Sequence, residues 1–399
     1  MVFVLIIEGC NIMDKRVYFL MTVSFVVGMV ELIIGGILDL IAIDLNISLG
    51  LAGMLITIFS LTFGISAPIL LVLTAKMERK RLMLLALSVF LFGNILAVFS
   101  PAYSILFIGR IISAASGSIL IILCIVMAAN IVEPKYRGRA IGIVSMGVSG
   151  SLVLGVPIGL SLGNLFGWRA PFIMIVILTA ISMIGVYIFM DRVAPRPVSS
   201  IKEQIQSLKN KKILFAHLTI FTLLSGHAVL YAYLTPYVKT TMGMSESALS
   251  IVYLLFGIAA VSGGAIGGTF ADKFGTARVM LIFIAIFAIT IFLIPSATAF
   301  MPVFMLALIV WGMMSWSVSP PMQSYLMTAA PDTADMQISI SNSALHFGIA
   351  FGSFIGGIVV DQASVALNPY IGGIFVILSL GTMLISMNQR KTSEGKIAL

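Results

Sequence analysis

Charged side chains are scarce in this chain. Lys, Arg, Asp and Glu make up 10% of its 399 residues, against about 25% in soluble domains. A water-soluble fold of this length needs far more of them to cover its surface, so a soluble globular protein is excluded. Cysteine is almost missing. Cys10 and Cys124 are too few and too far apart for a disulfide framework or a metal site, and both are read as packing residues. The three histidines are scattered. They offer no metal-ligand spacing and no nucleophile–base pair, which argues against an integral membrane enzyme and implies no catalytic residue, metal or cofactor. The formal charge of +8 raises nucleic acid as a partner. The basic residues fall in short runs between apolar stretches, however, and form no continuous face. The tails, to Lys15 and from Asn388 onward, are too short for the signalling domain that a sensor needs.

What remains is apolar sequence in long runs. The residues are 60% hydrophobic, and a spanning helix takes about 20 mostly apolar residues. Twelve spans are predicted, near 17–38, 50–73, 82–100, 103–129, 138–162, 168–190, 213–238, 247–271, 277–296, 301–327, 338–360 and 367–388. The longest polar stretch, 191–212, carries Pro195, Pro197 and a basic cluster that includes Arg192, Arg196 and Lys202. It divides the chain into an N-terminal six-helix unit, 1–190, and a C-terminal one, 213–399. The opening segment, Met1 to Cys10, lacks the basic start and small-residue cleavage site of a signal peptide. Met13, ahead of Asp14-Lys15-Arg16, is a second candidate initiator.

Basic residues accumulate in the segments at 15–16, 76–81, 135–139, 192–212, 273–278 and 390–396, while the loops on the other side carry Arg169 and Lys239. The positive-inside rule then puts both termini in the cytoplasm of a multi-pass cell-membrane protein, with the bilayer as its surroundings. A punctuated loop recurs at half-chain spacing, after the second span and after the eighth. Repeated halves are characteristic of secondary transporters, which bind a small molecule near the midplane and rock one half against the other.

Three motifs carry a family resemblance. The segment Gly267-Gly268-Thr269-Phe270-Ala271-Asp272-Lys273-Phe274-Gly275, leading to Arg278, is similar to the loop signature of the major facilitator superfamily. The first-half copy, Thr74 to Arg81, has basic residues and no Asp at the usual place. Gly147 through Gly155-Val156-Pro157-Ile158-Gly159 resembles the signature of the drug:proton antiporter branch. Small residues along one face permit backbone contact in lipid, and the proline permits a bend. Arg110 in the fourth span stands at the position of the family's buried arginine. The stretches Val30–Leu38, Ser225–Tyr233 and Trp311–Ser317 are similar to purine-exporting members of that branch. The resemblance implies an all-α fold of twelve transmembrane helices in two pseudo-symmetric bundles. It further implies a monomeric, proton-coupled exporter of purine bases or ribonucleosides, with a broad-specificity exporter of lipophilic drugs as the alternative. It gives Gly147, Gly155, Pro157, Gly159, Gly268, Asp272, Lys273, Gly275 and Arg278 roles in conformational gating.

The residues add a mechanism. Glu31 alone among the acids falls well inside a span, and an intramembrane charge needs a function and a partner. At 1.5 Å per residue across a core of about 30 Å, Glu31 lies roughly 9 Å and Arg110 roughly 10 Å from the outer face. A proton-coupling pair, direct or water-bridged, is therefore expected. One proton is worth roughly 2.3 kcal/mol per 100 mV, which supports about a fifty-fold gradient of a neutral solute. His227 has the same offset in the seventh span that Glu31 has in the first, and its neutral ring offers one donor and one acceptor to a heterocycle edge. Tyr231, Trp311 and Trp316 can stack on such a ring, and Gln323 and Asn94 can add amide bonds. Tyr237 and Tyr325, near span ends, read as headgroup anchors. His346 sits in a glycine-rich eleventh span and reads as a packing residue.

Overall fold

The computed structural model describes residues 13–195 and 201–389. Met1, Cys10, Arg196, Pro197 and the basic segment 390–396 lie outside the described residues.

Among the described residues twelve helices are long and apolar enough to cross a membrane. They are α1 (Lys15–Asp44), α2 (Leu49–Leu73), α3 (Arg79–Val98), α4 (Tyr103–Ile131), α5 (Pro134–Phe166) and α6 (Ala170–Phe189), then α7 (Lys211–Tyr231), α8 (Glu246–Phe274), α9 (Thr276–Ala297), α10 (Met301–Ala329), α11 (Met336–Gln362) and α12 (Val365–Asn388). Asp14, Ser48, Glu78 and Ser245 cap the starts of α1, α2, α3 and α8 by accepting first-turn backbone N–H groups. Gly275 ends α8 with φ near +88°, a conformation that a Cβ disfavours.

Several helices outrun the expected spans. At 30 residues α1 is about 45 Å long, so Asp39 and Asp44 stand at its protruding end. The seventh span, expected to be continuous over 213–238, stops at Tyr231, and a separate short helix, Leu234–Met242, follows a break at Tyr233. The fifth is interrupted by a π-turn at Ser151–Gly155, just ahead of Pro157. Proline has no N–H to continue the ladder, and the wider turn accommodates the loss.

The two sets of six helices pack alike. In the first, α1 lies on α5, α2 on α4, and α3 on both α4 and α6; in the second, α7 lies on α11, α8 on α10, and α9 on both α10 and α12. The sets meet chiefly where α2 runs along α11 and α5 along α8. Close approach is built from glycine. A Cβ at Gly147, Gly155 or Gly159 would run into Met21, Met29 or Ile33 of α1, and one at Gly28 would run into Ser151. Gly348, Gly352 and Gly356 press α11 onto the α7 backbone in the same manner.

Candidate functional site

The kink in α1 begins the site. Ile37 departs from helical geometry (φ −112°, ψ 16°), which disturbs the helical ladder at the carbonyls just before it. The second half supplies donors to them. Thr235 donates its hydroxyl to the Gly35 carbonyl oxygen at 3.0 Å and lies 3.3 Å from that of Gly36, and Tyr253 donates to Gly35 at 3.0 Å. All four residues are buried.

The polar bonds that join the halves concentrate toward the end of α1 that carries Asp39. Lys239 pairs with Asp39 at 2.6 Å, and Asp361 accepts from the Ser48 hydroxyl at 2.7 Å and the Gly50 N–H at 2.8 Å. Within the first half, Asp44 binds both Trp168 and Arg169. The two basic residues of that end thus both meet acids. At the opposite end, Asp272, Lys273 and Arg278 are exposed, and none of the three forms an ion pair among the described residues. A Cβ at Gly268 would meet Pro320 of α10 at 3.8 Å, an ordinary contact, whereas one at its neighbour Gly267 would run into the Ser317 backbone.

Nearly two turns before Ile37 stands Glu31, whose side chain keeps 18% of its exposure. Of the two expected arrangements, direct or water-bridged, the direct pair with Arg110 is not formed. The Arg110 guanidinium, fully buried in α4, donates to the Val30 carbonyl at 2.6 Å and to that of Leu55 at 3.4 Å, and lies over the Phe59 ring at 4.0 Å. Its bonds go to the backbone beside Glu31, within electrostatic range of the carboxylate but short of contact. The nearest ionisable partner is instead His346 of α11, whose Nδ1 is 3.6 Å from Glu31 Oε1. Gly348, Gly352 and Gly356 of α11 face α7, while Gly357 and His346 turn toward α2, where the histidine ring packs against Phe63 at 4.2 Å and its Cβ lies against Gly64.

His227, Tyr231 and Trp311 do come together, with Phe256 of α8, in a ring cluster within the second half. His227 stacks on Tyr231 at 5.0 Å and 21°, and Trp311 meets Phe256 edge-on at 4.9 Å. His227 Nδ1, the Tyr231 hydroxyl and Trp311 Nε1 are all buried without a hydrogen-bond partner among the described residues. Unpaired buried polar atoms are costly, and three in one cluster need an explanation.

Three expected contributors fall outside this cluster. Trp316 is partly buried but makes no ring contact with it among the described residues, and Gln323 is exposed. Asn94 is buried and gives its amide N–H to Phe90 of its own helix at 2.8 Å. Tyr237 and Tyr325 are buried as well and do not anchor at headgroups; Tyr325 reaches Ser386 at 3.1 Å. Sequence reading missed Thr235, Tyr253 and Phe256. The paired glycines Gly35-Gly36 were the only local sign that an outside donor might be needed there.

Two matching sets of six spanning helices, meeting around buried ionisable groups, have the architecture of a membrane transporter. Residues 20–353 and 230–397 match the Major Facilitator Superfamily. The chain is 34% identical over 375 residues to an uncharacterized MFS-type transporter, YbcL, of Bacillus subtilis (strain 168), with 94% of this chain and 96% of that protein covered. It is 26% identical over 375 residues to the inner membrane transport protein YdhP of Escherichia coli (strain K12), covering 93% and 95%. In fold it is similar to a bacterial homolog of the human lysosomal transporter Spinster in an inward-facing, unoccupied conformation, with a TM-score of 0.75, 14% identity and 94% and 97% coverage. The chain belongs to the Major Facilitator Superfamily.

Proposed function

We propose that this transporter exports flat heterocycles, purine bases or ribonucleosides, in exchange for protons. It would lie in the plasma membrane as a monomer with both termini cytoplasmic, and would work by rocking units 1–190 and 213–399 about the 191–212 linker. Glu31 carries the proton and Arg110 fixes the polarity of its surroundings. The glycines of α5 and the Gly268–Arg278 segment let the halves change their approach.

The observation that carries this reading is the ring cluster with its three unpaired polar atoms. A planar heterocycle can stack on Tyr231 and Trp311, at about 1–3 kcal/mol per ring face, while its edge satisfies the donors and acceptors that the protein leaves open. Glu31 is within electrostatic range of Tyr231, so protonation and binding can influence one another. The second reading is a broad-specificity exporter of lipophilic compounds. It draws on Met313 and Met314, about one turn from Trp311, because thioether side chains adapt to many shapes.

Inverted vesicles containing the protein are given radiolabelled hypoxanthine, adenine or inosine under an imposed proton gradient, with Glu31→Gln as the comparison. Gradient-driven accumulation that the variant loses supports proton-coupled purine export. No accumulation by the native protein rejects the purine assignment, and a panel of lipophilic antibiotics then tests the second reading.

A further inference from the structure

The break that ends α7 has a counterpart in α1. Tyr233 follows His227 at the interval by which Ile37 follows Glu31. The two also share one backbone geometry, φ −115° and ψ 21° at Tyr233 against φ −112° and ψ 16° at Ile37. What holds each break differs. The carbonyls at the bend of α1 take the hydroxyls of Thr235 and Tyr253, which belong to the opposite half. In α7 the donor comes from the same half. An unbroken helix would give the Tyr233 N–H to the Val229 carbonyl; here it turns to the Leu230 carbonyl at 3.1 Å, the tighter three-residue pattern. The Val229 carbonyl instead accepts the side-chain amide of Asn368, near the start of α12, at 2.9 Å. Asn368 is fully buried, and α12 packs on α7, α9 and α11 of its own half. Beyond the break, the short helix Leu234–Met242 presents Thr235 to Gly35 and Lys239 to Asp39 of α1.

We infer that Asn368 is a positioning residue for the seam between the halves: by holding the Val229 carbonyl it keeps α7 broken, and the break aims Thr235 and Lys239 at α1. A carbonyl can only accept, so the amide must present its N–H. Without that donor Val229 is left with a buried, unpaired oxygen, which is costly. The nearest donor along the chain is the Tyr233 N–H. Its return closes the helical ladder, removes the break and turns the short helix from its present line. Thr235 and Lys239 then lose their places on α1, although neither side chain has changed.

Because this anchor lies within the second half, it stays in place when the halves part. The short helix is then carried as a preset hook, ready to re-engage. The bend of α1, held from across the seam, loses its donors at that moment.

The inference concerns closure of the halves and uses neither the proposed cargo nor the proton, so its test omits both. Two pairs of spin labels in lipid nanodiscs separate its links. Thr240 and Phe300, both exposed in the second half, report the aim of the short helix. Phe99 and Phe300, exposed in the loops before α4 and α10, report the separation of the halves at the Asp39 end. Asn368→Leu, similar in size but without a donor, is expected to change the first distance. It should also shift the second from short toward long, by about fivefold in population ratio. Thr235→Val is expected to change the second distance alone. In a background carrying both Thr235→Val and Lys239→Gln, Asn368→Leu should still change the first distance and add nothing to the second. Asn368→Ala, which removes the donor without adding bulk, is expected to give the same results and serves where the leucine variant does not fold. A Thr240–Phe300 distance unchanged by loss of Asn368 overturns the inference. So does a Phe99–Phe300 distance that stays unchanged, or that shifts by the same factor when Thr235 and Lys239 are already replaced.

Discussion

Asp361, at the end of α11, caps a helix of the opposite half: its carboxylate accepts the Gly50 N–H and the Ser48 hydroxyl at the start of α2. An anion at a helix N-terminus meets both free N–H groups and the positive end of the macrodipole, so this contact stabilises the closed end electrostatically as well as by hydrogen bonding.

Asp361→Asn should weaken that cap by about 1 kcal/mol, roughly fivefold in the ratio of closed to open forms. A single cysteine at the buried position Ala52, with Cys10 and Cys124 changed to serine, would report it. A membrane-impermeant maleimide applied from the Asp39 side is expected to react about fivefold faster in the Asp361→Asn background. An unchanged rate would mean that the cap contributes nothing to closure.

The glycine ladder makes a second prediction, because two glycines of α5 have opposite surroundings. A Cβ at Gly147 runs into the Met21 backbone, which cannot rotate away, whereas Gly142 has nothing within 4 Å. Gly147→Ala should cost about 1–3 kcal/mol through overpacking. Gly142→Ala should be neutral or slightly stabilising through helix propensity. Thermal unfolding in detergent of the two variants decides the point; equal midpoints would contradict the packing described.

Some of this architecture was legible in the sequence because its signals are local. Gly147, Gly155 and Gly159, spaced by multiples of four, lie within a single span, and helix packing translates that spacing directly into contact with a neighbour. Twelve apolar runs likewise gave twelve spans, apart from the break after Tyr231. The proposed coupling site was legible only to a depth. Counting residues put Glu31 and Arg110 at similar heights, but height does not fix the rotation of a helix about its axis, and Arg110 turns toward the Val30 and Leu55 carbonyls. The glycines of α11 divide in the same way between faces: Gly348, Gly352 and Gly356 meet α7, whereas Gly357 meets Gly50 of α2, the helix on which His346 also packs. Tyr237 and Tyr325 sit near span ends yet point inward.

The unpaired Tyr231 hydroxyl gives a prediction with opposite signs in two measurements. Tyr231→Phe removes a buried polar atom that has no partner in the empty protein, which relieves about 1–3 kcal/mol. The ligand-free variant should therefore unfold at a higher temperature than the native protein. If the hydroxyl serves a heterocycle edge, the stabilisation produced by added hypoxanthine should meanwhile fall, with affinity lower by about tenfold. A variant that is both more stable and equally responsive to hypoxanthine would remove Tyr231 from the binding site.

Glu78 lies outside the spans and links two polar segments. It accepts the Lys80 and Arg81 N–H groups at the start of α3 and the Val193 N–H from the chain after α6. Partial burial pushes its carboxyl upward, but these three backbone donors, assisted by Arg192, hold it below the ordinary value of 4.5. A depressed carboxyl stabilises the folded state above the unfolded value, and that contribution disappears as pH falls through the folded one. Glu78→Gln should therefore be less stable than the native protein at neutral pH, by about 0.5–2 kcal/mol as for a lost cap. The gap should close on acidification below about pH 4. A gap independent of pH would show that the charge of Glu78 is immaterial.

The kink in α1 has an evolutionary consequence. Its acceptors are the main-chain oxygens of Gly35 and Gly36, and their donors are the side chains of Thr235 and Tyr253. Substitution can delete a donor but never a carbonyl. The strength of this seam is therefore heritable variation in the second half alone. Drift or selection that retunes how readily the halves part here should leave its trace at positions 235 and 253, while the opposing glycines answer only to the shape of the bend.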